Sequence, residues 1–140
     1  MLERSSILER LKTGGYRLTR ARMSIIDVFL TSPVPLSVPE LIASLGARRV
    51  SVNKTTVYRE VEFLKAREMI RELQLGDGLR RYELWSGNHH HHLVCVRCNL
   101  IECLELEECI KGIEDRISRE KKFSLIEHSL EFFGHCAGCQ

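Results

Sequence analysis

The stretch Ser51-Val52-Asn53-Lys54-Thr55-Thr56-Val57-Tyr58-Arg59 decides the fold of this chain. Its first turns gather hydroxyl, amide and cationic side chains able to contact phosphates or base edges. A recognition helix needs such groups at its N-terminal end. A solvated helix face is the plainer reading, but Thr-Thr-Val is poor helix filler unless its hydroxyls are used. The helix opens near Ser51 or Asn53 and runs through Val57, Val61, Phe63 and Leu64 to about Arg67. Two strand-like runs follow, Met69–Leu75 and Leu79–Trp85. Gly76-Asp77-Gly78 joins them as a hairpin turn with Arg80-Arg81 at its tip.

Upstream, Ile7, Leu8 and Leu11 predict a short amphipathic helix over 4–13, stopped by Gly14-Gly15. Thr19 caps a second helix with Ile25, Ile26, Phe29 and Leu30 on its buried face, ending at Ser32-Pro33. Ser37 caps a third: Pro39 lies in its first turn, Glu40 completes a capping box, and Gly46 ends it. Three helices, a fourth long one and a hairpin are the order of a winged helix-turn-helix, placed over residues 1–85.

At 140 residues and 16.2 kDa, with 44% apolar and 29% charged residues, the chain can bury a core and is not a disordered one. It has room for one ordinary domain or two small ones. Its apolar runs are too short for a membrane span, and its first residues lack the apolar run of an export signal. A cytoplasmic, reducing location is therefore expected, where six cysteines are metal ligands or redox thiols rather than a disulfide framework. The charge is uneven. Residues 1–88 hold 15 Lys and Arg against 10 acidic residues, whereas 89–140 hold 6 against 9, with every His and Cys. The first part suits a polyanion partner; the second is rich in metal-ligand types.

In residues 86–140, a strand His89–Cys95, a partner Leu100–Leu104, a helix Glu105–Glu120 and a last strand Phe123–Phe133 are predicted. Leu106, Cys109, Ile110, Ile113 and Ile117 form the helix's apolar stripe. So small a module needs a metal or a second subunit to be stable. Cys95-x-x-Cys98 and Cys136-x-x-Cys139 supply the metal donors, since two such loops complete a closed tetrahedral zinc site. One pair alone could equally be a redox dithiol. Strand alternation sends His89 and His91 to one face and His90 and His92 to the other, enough for two sites back to back. On the last strand His128 is in phase with Ile126, Leu130 and Phe132, which points it inward. A core histidine is the plainer reading there, but His89 and His91 need a third ligand. Nearby carboxylates Glu102, Glu105, Glu107 and Glu108 suit zinc, iron or manganese. Cys109 reads as core; Cys103 lies beside the ligand cluster.

Taken together in order and spacing, several pieces resemble the ferric uptake regulator family of bacterial metalloregulators. They are Gly15-Tyr16-Arg17-Leu18-Thr19-x-x-Arg22, Thr56-Val57-Tyr58-Arg59, His89–His92 with Leu93-Val94-Cys95-x-x-Cys98, His128-x-Leu130 and Cys136-x-x-Cys139. The resemblance covers nearly the whole chain. It implies an α+β protein, with a winged-helix DNA-binding domain followed by a small α/β dimerisation domain. Cys95, Cys98, Cys136 and Cys139 would hold structural zinc. Glu83, His90 and His92, with Glu102 as a further candidate, look like a regulatory site at the hinge. His89, His91, Glu108 and His128 look like a second site inside the dimerisation domain. Tyr58 and Arg59 would reach DNA, with Arg17, Lys54 and Thr56 beside them.

One departure stands out: where many members carry a histidine before the third helix, this chain reads Pro33-Val34-Pro35-Leu36, and residues 1–88 hold no histidine. The inner site would then carry more of the response. The implied function is a homodimeric repressor that binds a palindromic, AT-rich double-stranded DNA operator when loaded with Fe2+, Zn2+ or Mn2+. A peroxide sensor of the same family, acting through iron-catalysed ligand oxidation, and a thiol oxidoreductase using the CxxC pairs are the alternatives. A metal hydrolase is disfavoured, because no general base or substrate loop is left over.

Overall fold

The computed structural model describes residues 3–85, 87, 89–106 and 110–140. They form two compact units, Met1–Asn88 and His89–Gln140. Among the described residues no helix is long and apolar enough to cross a membrane.

In the first unit α1 (Arg4–Thr13), α2 (Arg20–Thr31), α3 (Val38–Ala47) and α4 (Lys54–Ala66) precede the hairpin β2 (Ile70–Gln74) and β3 (Arg80–Leu84). The caps of α2 and α3 are those the sequence announces, and of the two openings offered for α4 the structure uses Asn53. Thr19 Oγ1 accepts from the Arg22 N–H, and Asn53 Oδ1 from the Thr56 N–H at 2.8 Å. Ser37 and Glu40 form a reciprocal capping box. The third helix runs one residue past Gly46. An unforeseen two-residue strand, β1 (Leu36–Ser37), pairs antiparallel with β3, giving the sheet order β1-β3-β2. The wing turn uses Gly76 and Gly78 at φ 81° and 76°, conformations that side chains with a Cβ resist.

The core of this unit is where the helices meet. Leu11, Ile25, Ile26, Leu41, Val57 and Leu64 are at most 1% exposed. Each such side chain contributes about 1.5–3 kcal/mol by leaving water, so the scaffold that presents α4 is firm. An ionic and aromatic clasp fixes α4 further. Arg22 makes a two-pronged bond to Glu60 at 2.7 and 3.1 Å and donates to the Arg17 carbonyl. Its guanidinium lies 3.6 Å from the Phe63 ring centroid, and Arg67 lies at the same distance from that ring.

The second unit has β4 (His91–Cys95), β5 (Ile101–Leu104), α5 (Lys111–Lys121) and β6 (Glu131–Gly134), with sheet order β5-β4-β6. β4 pairs antiparallel with β5 and parallel with β6. Two expectations fail here. The helix starts at Lys111, not Glu105, and no α5 residue is buried, Ile113 being 49% exposed. The last strand begins only at Glu131, because the β4 ladder starts at His91 and His92 already faces Glu131. Residues 122–130 therefore lie outside any strand, and Ile126 is fully in solvent at 99% exposure. The expected stripe residue Cys109 lies outside the described residues.

Candidate metal centres and nucleic-acid face

The four cysteines converge where β4 and β6 end. Cys95 closes β4 and Cys98 follows on its turn; Gly134, at the end of β6, lies beside Cys95 in register and leads to Cys136 and Cys139. Each CxxC is a tight turn, closed by Asn99 N–H donating to the Cys95 carbonyl and Cys139 N–H to the Cys136 carbonyl, both at 2.9 Å. All four sulfurs lie within 4.8 Å of one another, and Cys98 and Cys136 are 3.6 Å apart. Tetrahedral zinc with bonds of about 2.3 Å needs sulfurs about 3.8 Å apart, so the donor set fits that ion. The backbone N–H of Cys136, then that of Cys98, stabilises the Cys95 thiolate and brings its pKa to about 5. The Cys136 and Cys98 thiols push Cys139 up to about 12. One thiolate is thus prepared, whereas Cys98 and Cys139 are both shifted up, toward the thiol that a bound dication would ionise.

The four-histidine run divides as alternation predicts. His89, His91 and His128 present ring nitrogens within 4.8 Å of one another on one side. Buried His91 directs Nδ1 to the Leu130 carbonyl at 3.0 Å. A carbonyl only accepts, so Nδ1 carries the proton and the lone pair sits on Nε2, the atom a metal would take. His128 reaches this group although the strand expected to aim it inward is absent. Glu114 of α5 holds it instead, at 2.6 Å from Nδ1. Sequence reasoning missed Glu114; its position one turn into the helix, opposite a histidine, carries no motif. Glu108, the carboxylate expected here, lies outside the described residues.

On the other side, His90 and His92 gather with Cys103, donors again within 4.8 Å. Glu102 is not brought to them: the register sets it opposite Leu93, and Cys103 opposite His92. Glu83 belongs to β3 of the first unit, where it faces Arg71 in register and accepts a hydrogen bond from its Nε at 2.6 Å.

The DNA-contact candidates lie mainly at the start of α4. Val57, Val61 and Leu64 turn into the core, which sends Tyr58 and Arg59 outward. Lys54, Tyr58 and Arg59 are exposed, Arg17 is exposed ahead of α2, and Thr56 is half-buried. Lys54 Nζ lies 5.9 Å from the centroid of the Tyr58 ring. Of the wing-tip pair, Arg80 is exposed, whereas Arg81 is only 5% exposed. It turns inward to Asp77, Glu40 and the Pro35 carbonyl, tying the wing to α3 and to the segment before it.

The model of the ferric uptake regulator family matches residues 13–133. The chain belongs to that family. The ferric uptake regulation protein of Bacillus subtilis (strain 168) is 31% identical over 137 residues, covering 95% of this chain and 91% of that protein. The Helicobacter pylori ferric uptake regulator, whose structure is described as revealing three functional metal binding sites, matches with a TM-score of 0.84 at 27% identity. That match covers 99% of this chain and 94% of that one. A zinc-bound manganese uptake regulator matches with a TM-score of 0.72 at 31% identity, over 92% and 98% of the two chains. As a member of the ferric uptake regulator family, the chain is a metal-responsive transcriptional regulator and not an enzyme. That sets aside thiol oxidoreductase and hydrolase readings of its Cys and His clusters.

Proposed function

We propose that this regulator is a homodimeric repressor in the cytoplasm, which binds a palindromic, AT-rich operator when loaded with a divalent metal, iron or zinc foremost. The observation that carries the reading is the stacking of donor clusters on one strand. β4 supplies histidines to both of its faces and Cys95 to the four-sulfur cluster.

The division of labour follows from the residues. Cys95, Cys98, Cys136 and Cys139 would hold structural zinc, which pins the end of β6 beside β4. His89, His91 and His128 would hold a regulatory metal, with Glu114 and the Leu130 carbonyl orienting two of the rings. A bound dication supplies the positive charge that draws these donors together. On the first unit, the exposed N-terminal turn of α4 presents Lys54, Tyr58 and Arg59, and the helix's partial positive charge there favours phosphate. A second copy suits the second unit, whose Ile113, Phe123 and Phe133 are 49%, 61% and 53% exposed in a single chain. A twofold dimer carries two such helices and reads two half-sites.

The test is a DNA-shift titration with protein retaining one zinc per chain, with and without Fe2+, Zn2+ or Mn2+. A hundredfold gain in affinity on metal addition, about 2.7 kcal/mol, is the size of coupling expected. Equal affinity under every condition would sink the reading.

A further inference from the structure

The partner of His92 across the β4–β5 ladder is a sulfur donor. His92 and Cys103 are directly opposed in an antiparallel pair, so their side chains share a face with Cβ atoms about 5 Å apart. His90, two residues before His92, lies on the same face, with ring centroids 5.0 Å apart. The three donor atoms fall within 4.8 Å. Cys103 stands apart from the four-sulfur cluster and groups with the two histidines instead. Its neighbour Glu102 faces the other way, beside Leu93. The oxygen donor that the sequence offers is thus on the wrong face, and a thiol occupies the right one.

We propose that Cys103 is a thiolate ligand, making His90, His92 and Cys103 a nitrogen–sulfur site selective for zinc over manganese and iron. The inference deepens the metal-responsive reading above and rests on it for its regulatory meaning. Imidazole and thiolate are borderline and soft donors; they suit zinc, whereas manganese favours carboxylate and water. Among the described residues these three donors form the group, a ligand number that leaves tetrahedral zinc a fourth position for water. Zinc bonds of about 2.0–2.3 Å place nitrogen and sulfur about 3.5 Å apart, which side-chain rotation can reach from the present spread. Burial adds to the fit. His92 is 1% exposed while Cys103 lies in solvent, so the site has a fixed inner ligand and an accessible outer one.

The test uses full-length protein with one zinc per chain in the four-cysteine cluster, verified by metal analysis before and after titration with Co2+. Thiolate ligation gives a near-ultraviolet sulfur-to-cobalt charge-transfer band, and the visible ligand-field bands report cobalt itself. Wild type should show both. Cys103→Ser should lose the charge-transfer band, keep cobalt and its zinc, and bind added zinc at least tenfold more weakly with manganese affinity unchanged. Cys109→Ser should keep the band. In parallel, added Zn2+ should protect Cys103 from alkylation in wild type and not in the His90→Ala/His92→Ala variant, which covers the case of a misfolded Cys103→Ser. A charge-transfer band surviving in Cys103→Ser, or alkylation of Cys103 unaffected by zinc, would overturn the assignment. The two readings fail separately. Metal-dependent DNA binding with no Cys103 signature defeats this inference alone; a Cys103-dependent band with metal-indifferent DNA binding defeats only the regulatory reading.

Discussion

Glu114 and His128 lie 2.6 Å apart, carboxylate oxygen to Nδ1, joining α5 to the irregular segment ahead of β6. The carboxylate accepts a hydrogen bond from Nδ1–H, which leaves the lone pair on Nε2 as the atom available to a metal. Partners of this kind are worth about 10–100-fold in metal affinity. Glu114→Ala should weaken regulatory-metal binding by about that factor in competition with a chelating dye, while the zinc of the four-cysteine cluster stays. Unchanged affinity would reduce the contact to helix packing.

Changing Cys95 or Cys136 to Ser should release about one zinc per chain and unfold the second unit, because structural zinc binding is folding energy in a module this small. Metal analysis and sedimentation report both effects. A variant that keeps its zinc and its assembly state would show that the four sulfurs are not the site.

Arg59→Ala should weaken operator binding by about tenfold and lower the salt dependence by about one ion, leaving metal content intact. Tyr58→Ala should weaken it as well and relax preference at one base pair, if the ring packs on a thymine methyl. Salt-dependent DNA titrations of both variants decide this. Full affinity in Arg59→Ala would move the reading surface off α4.

Arg81 should matter to stability and not to DNA. Burial works to raise Glu40 and Asp77, but the Ser37 N–H and Arg81 outweigh it at Glu40, and Arg81 and the Leu79 N–H at Asp77. Both carboxyls are thereby held below their ordinary range. The unfolded chain, with the higher values, binds more protons as acid is added. The stabilisation is therefore complete above about pH 4.5 and disappears as pH falls through the folded values. Arg81→Met should lower helix stability by about 3 kcal/mol at pH 7. Its deficit relative to wild type should shrink below pH 4, read by helical circular dichroism in denaturant. A deficit independent of pH would mean that lost packing, not charge, is responsible.

Much of the first unit could be read from sequence because its signals are local. Thr19, Ser37 and Asn53 start helices through bonds that span only three residues, and Asp77 between two glycines makes the wing turn. What escaped depended on distant partners. Ile126, His128 and Leu130 alternate like a strand, yet a strand forms only where another ladder meets it, and β4 offers none before His91. Arg81 reads as an exposed tip residue until β1 and α3 bring the Pro35 carbonyl and Glu40 against it. The two-faced histidine run was legible because alternation is a property of the strand alone. Cys103 replaced Glu102 because register cannot be counted from sequence when a turn's geometry is unknown.

The carbonyl that aims His91 belongs to Leu130, one residue ahead of β6, and β6 runs directly into the Cys136–Cys139 turn. Anchorage of that turn would therefore fix the backbone carbonyl that aims the His91 ring. On the metal assignment proposed above, ion uptake should be ordered in time, the first ion building the receptor for the second. A molecule that loses this zinc would lose the histidine receptor together with the fold of its second unit. In a staged refilling of stripped protein, occupancy of the histidine cluster should lag until the sulfur cluster is full.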